Sequence, residues 1–274
     1  RRNSMDAFTN VPSNGKIAMK FEGEDEDDRL IGVALLEEGD DVLLASRFGK
    51  AIRFAADDVR EFQSRNSTGV RGMRLADGDE VISLSILKDG GVRDQEERDE
   101  YLRFAAWKPE KEGEMADQAR FAALTEGEQF ILTVCANGYG KISSAYEYRR
   151  TGRGGQGITN IDNLDRNGPV VASFPAKHGE QLMLVTDQAK LIRMNIQLRH
   201  LRDDDDGFRV IGRGSAGVRL FNVANGERVV SAARIDEQDE PENEAEEMIA
   251  EEMAGAKAAG DVAPDAGVGD DRAS

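Results

Sequence analysis

The feature that most constrains this chain is internal repetition, because a supersecondary unit repeated at a fixed spacing must bury its apolar faces against its own neighbours. Two half-units recur. The first is an apolar strand, a tight turn and a second strand, at residues 43–54 (LLASRFGKAIRF), 132–143 (LTVCANGYGKIS) and 183–194 (MLVTDQAKLIRM). Phe48-Gly49 and Asn137-Gly138 place turn formers between the strands, so each copy predicts a β-hairpin. The second half-unit opens on a glycine, runs through a short alternating segment, turns at a polar cluster and closes on a β-branched or aliphatic pair. It occupies residues 15–33, 69–84, 157–173 and 217–232. The closing pairs Leu30-Ile31, Val81-Ile82, Val170-Val171 and Val229-Val230 lie 51, 89 and 59 residues apart. Taking an insertion of about 40 residues out of the longest interval leaves a period near 50, the length of a four-stranded propeller-type blade. The expected class is therefore all-β, with about three and a half such blades.

Two segments break the repeat and divide the chain into 1–88 (blades, first part), 89–128 (insertion), 129–235 (blades, second part) and 236–274 (tail). Residues 89–128 are rich in helix formers, with Tyr101, Leu102 and Ala105 on one face and Met115, Ala119, Ala122 and Ala123 on another, joined through Pro109 and Gly113. They read as an exposed acidic helical hairpin in a blade loop. Residues 236–274 hold 14 acidic and 2 basic side chains and no aromatic residue, a composition that predicts a disordered tail. The formal net charge of −17 is concentrated in these two segments. Residues 129–235 hold 15 basic and 10 acidic groups, so a surface for a polyanion is compatible with the acidic total. No apolar run approaches the roughly 20 residues of a membrane helix. The opening residues lack the apolar core of a signal peptide, and the chain, which starts at Arg1, reads as part of something longer. The single cysteine, Cys135, excludes an internal disulfide and fits a cytoplasmic setting.

The sharper motifs do not lead to a reaction. Gly152-x-Gly154-x-x-Gly157 and Gly212-x-Gly214-x-x-Gly217 match a dinucleotide fingerprint in letters, but each is followed by a strand-like segment, whereas the fingerprint requires a helix whose N-terminus meets the pyrophosphate. The Gly-Lys pairs at 15–16, 49–50 and 140–141 lack the remainder of a P-loop. Asp203 to Asp206 precede Gly207, yet Arg202 and Arg213 stand where a calcium loop needs carboxylates. His178, His200 and Cys135 have no metal-ligand or nucleophile spacing, and the tyrosines at 101, 139, 146 and 148 lack a catalytic context. No catalytic residue and no metal site is expected.

What recurs with the repeat is cationic charge. Lys50, Arg53, Arg65, Arg71 and Arg74 fall in one unit, Lys141, Arg149, Arg150 and Arg153 in the next, and Lys190, Arg193, Arg213 and Arg219 in the last, alongside Arg199, Arg202 and Arg209. Cations at equivalent blade positions would line one edge and meet a phosphate backbone at intervals, unless that edge is simply solvated.

The strings GVRGMRLADGDEVISL and ANGYGKIS, with GKIAMKF followed by LIGVALL, resemble the family of DNA gyrase A C-terminal domains, over residues 8–235 apart from the insertion. The resemblance implies a β-pinwheel that binds and bends double-stranded DNA on its basic outer edge, as part of an ATP-dependent type IIA topoisomerase that supercoils DNA negatively. It implies further that the partners are the rest of gyrase A and gyrase B in a heterotetramer, that ATP and Mg are used by other regions with no cofactor in this chain, and that the setting is the bacterial cytoplasm at the nucleoid. The family's heptad Gln-Arg-Arg-Gly-Gly-Lys/Arg-Gly has only a degenerate likeness here, at Tyr148 to Gly154. Alternatives are the related C-terminal domain of topoisomerase IV, or a propeller used as an interaction scaffold with Tyr101 and Trp107 in its partner site.

Overall fold

A computed structural model describes the chain except residues 20, 22–27, 64–66, 109–112, 163, 203–205 and 236–274. The expected tail and the Asp-rich loop from Asp203 to Asp205 therefore lie outside the described residues, as does Arg65. Each expected hairpin is present. Strand β1 (Asp41–Ser46) pairs antiparallel with β2 (Lys50–Ala55), and β3 (Val81–Leu87) pairs with the other edge of β1. The same arrangement recurs in β4 (Phe130–Cys135), β5 (Tyr139–Ser144) and, after the two-residue β6 (Ile158–Thr159), β7 (Val170–Ala176). It recurs again in β8 (Gln181–Thr186), β9 (Leu191–Asn195) and, after β10 (Val218–Arg219), β11 (Val229–Ile235).

The fourth strand of a blade comes from the following repeat. Strand β6 pairs with β2, and β10 with β5, giving sheet orders β3-β1-β2-β6, β10-β5-β4-β7 and the three-stranded β11-β8-β9. The glycine-started segments at 157 and 217 thus leave their own blades, which a one-dimensional repeat does not show. Strand β7 packs against both β3 and β11, so these strands form the inner side of the array and β6 and β10 the outer edge. Residues 15–33 and 69–75, expected to be strand-bearing, have no strand among the described residues. Residues 72–74 lie against β1 and β2 and bond the 154–155 linker through isolated backbone hydrogen bonds, too few to make a ladder. The N-terminal residues nonetheless keep the repeat: Arg2 bridges Glu61 in parallel as Arg53 bridges Arg150.

Hairpin chemistry explains the tight turns. Gly49 and Gly138 have φ of 76° and 79°, and their amides bond Ser46 O and Cys135 O. In the third blade Ala189 takes that place at φ 58°, a conformation that costs an L-residue about 1–2 kcal/mol. Buried apolar side chains then join neighbouring blades: Leu43, Ala51, Leu87, Ile131 and the Tyr148 ring between the first two, and Leu132, Ile142, Leu182, Leu184 and Val229 between the second and third.

The insertion consists of helices α1 (Gln95–Phe104) and α2 (Gln118–Glu126), each started by an aspartate cap: Asp94 accepts from the Glu97 amide and Asp117 from the Arg120 amide. The expectation of an exposed hairpin is corrected. Tyr101, Ala105, Met115 and Leu124 are buried in the same apolar cluster as the second and third blades. Phe121 and Leu124, rather than the exposed Ala119, Ala122 and Ala123, carry α2's contact, because larger side chains remove more apolar area from water. Trp107 Nε1 and Tyr101 OH both donate to Glu128, which also accepts from Ser144 Oγ on β5. A partner site built on Tyr101 and Trp107 is therefore unavailable, since Tyr101 is fully buried and Trp107 only 7% exposed.

Candidate nucleic-acid interface

The cations meet on the linkers that carry β6 and β10 outward. In the first linker Gly157 has φ 72°, and a Cβ there would lie 2.4 Å from Ala51 O; in the second, Gly217 has the same φ and a Cβ would lie 2.5 Å from Gly140 O. The last glycine of each fingerprint-like match is thus required by the close approach of two backbones. Arg153 and Arg213 then lock the linkers at equivalent points. Arg153 Nε donates to Asp58 O and Nη1 to Arg71 O, while Arg213 Nε donates to Glu147 O and Nη1 to Thr159 O.

Several expected phosphate contacts have other work. Lys141 is 1% exposed, with Nζ donating to the carbonyls of Gly212, Arg213 and Ser215 inside the second linker. Burial draws its pKa down to about 7, opposed by the Glu147 carboxylate and assisted by the Arg213 guanidinium. It cannot reach a duplex from there. Arg53, 12% exposed, is bound to the buried Asp41 at 2.7 Å and donates to Ala145 O. Arg150 shares Asp41, also at 2.7 Å, from a more exposed position. Lys190 pairs at 2.7 Å with the buried Glu227, whose carboxyl is held near pKa 2 by that hydrogen bond and by those from Thr186 and the Ala224 amide. Arg193 donates to Gln181. Arg213 is half-buried and spent on its carbonyls.

Lys50, Arg71, Arg74, Arg149 and Arg219 are exposed and have no carboxylate partner among the described residues, while Arg199 and Arg202 are half-buried. Arg71, Arg74 and Arg149 project to solvent. Lys50 Nζ donates to Thr159 Oγ1 across the β2–β6 pair. Arg219 on β10 donates to Tyr139 OH and lies 4.8 Å above its ring. The sequence reading missed Arg166 on α3 (Leu164–Asn167). Its guanidinium stacks on Tyr139 at 4.4 Å and donates to Ala216 O and Gly217 O. Tyr139, flanked by Gly138 and Gly140, occupies the position of Lys50 in the preceding blade, and that substitution was the available signal. Two guanidiniums held on one tyrosine by cation–π attraction keep their charge while losing mobility.

Backbone contacts join these groups into one band. Arg74 N bonds Gly155 O, Gly154 N bonds Gly72 O, and Lys50 and Thr159 pair in register. Arg213 reaches Thr159 from the next linker, which leads into Arg219. The other singled-out groups are structural: His178 Nδ1 accepts from the Leu198 amide, and Cys135 is buried, its thiol pushed up to about 12 by burial. Among the described residues no three His, Cys, Asp or Glu side chains are grouped to hold a metal, and no helix is long and apolar enough to cross a membrane.

A family model described as "DNA gyrase C-terminal domain, beta-propeller" matches residues 40–88, 129–177 and 180–236, leaving the insertion outside. The DNA gyrase A protein of Granulibacter bethesdensis is 46% identical over 256 residues, covering 84% of this chain and 26% of its own length. That of Rickettsia bellii is 43% identical over 269 residues, 92% of this chain and 28% of its own. The chain thus spans about a quarter of the length of these curated relatives. A crystal structure of the C-terminal domain of DNA topoisomerase IV shares the fold at TM-score 0.59 and 16% identity, covering 85% of this chain and 57% of that one. A DNA gyrase A C-terminal domain does so at TM-score 0.56 and 20% identity, covering 81% and 58%. With more than half of its residues matched by the family model, the chain belongs to the DNA gyrase A C-terminal domain family.

Proposed function

We propose that the outer band binds the phosphate backbone of double-stranded DNA without reading its sequence, and bends the duplex along the blades. The single observation that carries this reading is the sorting of cations. Lys50, Arg71, Arg74, Arg149, Arg153, Arg166 and Arg219 remain exposed and unpaired with acid among the described residues, on strands, linkers and the short helix α3. Arg53, Lys141 and Lys190 are buried or acid-bound. Phosphate contacts of this kind fix position on a duplex and carry no base information. In the whole enzyme the domain would act beside the remainder of gyrase A and with gyrase B in a heterotetramer, in the bacterial cytoplasm at the nucleoid. It would support negative supercoiling driven by ATP, with Mg, at regions other than this chain.

The test is the dependence of duplex affinity on salt. Each lost phosphate contact lowers the magnitude of the slope of log affinity against log salt by about 0.9. Arg166→Ala with Arg219→Ala is expected to lower it by about 1.8, equally for unrelated DNA sequences. Arg47→Ala is the control, since Arg47 is already paired with Glu80 at 2.9 Å on the surface. An unchanged slope in the double variant, or an equal fall in the control, would sink the assignment.

A further inference from the structure

Where the insertion meets the blades there is a cleft of about 430 Å³, outside the residues the family model matches on its insertion side. Its walls are drawn from the start of the insertion, from Asp89 through Gln95 to Arg98, on one side and from Tyr146 and residues 148–151 with Asp41 and Arg53 on the other. Its three aspartates are engaged. Asp41 is held by Arg53 and Arg150, Asp89 accepts from the Gly91 amide, and Asp94 caps α1. Two of its guanidiniums, those of Arg93 and Arg149, have no close carboxylate partner. Arg149 has no partner among the described residues. Arg93, 72% exposed, makes only a loose ion pair with Glu97 at 3.9 Å, and the Glu97 carboxylate accepts from the Arg93 amide and holds Arg120 at 2.6 Å. From Arg149 and Arg150 the chain continues into Arg153, which contacts Arg71 on the outer band.

We infer that the insertion is part of the nucleic-acid interface: Arg93 from the insertion and Arg149 from the linker form a two-sided phosphate-binding cleft that receives the DNA backbone where it crosses the junction of the first two blades. The inference rests on the DNA-binding reading above and assigns a role to a segment the repeat does not need. The carboxylates of Glu96, exposed, and Glu100, half-buried, repel a duplex laid across α1, so the backbone has one favourable entry, between the arginines. A free polyphosphate could use the same two guanidiniums, and the experiment separates the sources.

Duplex binding is measured over a range of salt for Arg93→Ala, Arg149→Ala, the double variant, Arg93→Lys and the control Arg103→Ala, an exposed insertion arginine outside the cleft. The expected result is a fall in slope magnitude of about 0.9 for each single variant and about 1.8 for the double, with Arg93→Lys near wild type and Arg103→Ala unchanged. An equal fall for Arg103→Ala would mean that only bulk charge matters, and would overturn the cleft. If Arg166→Ala with Arg219→Ala lowers the slope while Arg93→Ala does not, the cleft inference fails and the outer-band reading survives. If neither lowers it, both fail. Sodium tripolyphosphate is titrated in parallel, following Trp107 fluorescence. Saturation at micromolar concentration that is lost in the double variant, with an unchanged duplex slope, would make the occupant a free anion and overturn the DNA assignment.

Discussion

Glu128 latches the insertion to the second blade, and removing its carboxylate is expected to loosen that contact. The carboxylate accepts from Trp107 Nε1 at 3.0 Å, Tyr101 OH at 2.8 Å and Ser144 Oγ at 2.5 Å. In Glu128→Ala the Tyr101 hydroxyl keeps Thr125 Oγ1 as an acceptor at 3.4 Å, and the Ser144 hydroxyl can rotate, but the indole N–H is stranded. A buried donor left unpaired costs about 1–3 kcal/mol, and two weakened hydroxyl bonds add about 1 kcal/mol each. Relief from desolvating the carboxylate offsets part of this, giving a net loss of about 3 kcal/mol. For a domain of this size that corresponds to a fall in Tm of roughly 6–12 °C. Burial raises the Glu128 pKa, against the hydrogen bonds from Ser144, Trp107 and Tyr101. A carboxyl whose folded pKa lies above its unfolded value contributes stability that is fully present below the unfolded value and is lost as pH rises through the folded one. The difference in Tm between wild type and Glu128→Ala should therefore be largest at about pH 4, near the unfolded value, and shrink toward neutrality. Trp107 is the only tryptophan, so its emission reports on the latch directly and should shift to the red in the variant. A Tm within about 2 °C of wild type together with unshifted emission would refute the latch.

Two further outcomes follow from single positions. Ala189→Gly should raise Tm by roughly 2–4 °C, because glycine adopts the left-handed turn of the third hairpin with less strain than alanine, although it also gains entropy when unfolded; no change in thermal melting would place the strain elsewhere. Lys141, with its folded pKa near 7 against an ordinary 10.5, binds a proton less readily when folded, so stability should rise with pH between those values, and Lys141→Met should flatten that rise in chemical denaturation.

The architecture was legible because hairpins are local. Phe48-Gly49 and Asn137-Gly138 announce turns whose two strands adjoin in sequence, and the aliphatic pairs mark the third strand of each blade. The exchange of β6 and β10 between blades was not, since residues 158–159 pair with β2 about 100 positions earlier. The insertion's helices were visible in its composition. Its docking was not, because the acceptor for Trp107 and Tyr101 is one glutamate that looks in the sequence like another surface charge.

The same limit governs the candidate site, and one position shows why. Arg53 on β2, opposite Leu43, reaches diagonally to Asp41 on β1, an ion pair that removes the arginine from the surface. The equivalent diagonal positions in the second blade are Ile142 and Phe130, with no charge at all, and in the third they are Arg193 and Gln181, where the arginine donates to an amide oxygen. A sequence shows the cation but not what stands across the strand, so Arg53 and Arg193 look alike until β1 and β8 are in register. Lys141 is the sharper case. It aligns with Ile52, a core position, and its ammonium is carried inward to satisfy three carbonyls of a linker some 70 residues later. Counting cations by repeat position therefore overstates the free charge on the inner hairpins. It understates the outer edge, where Arg166 on a helical turn and Arg219 on a two-residue strand are brought together only by Tyr139.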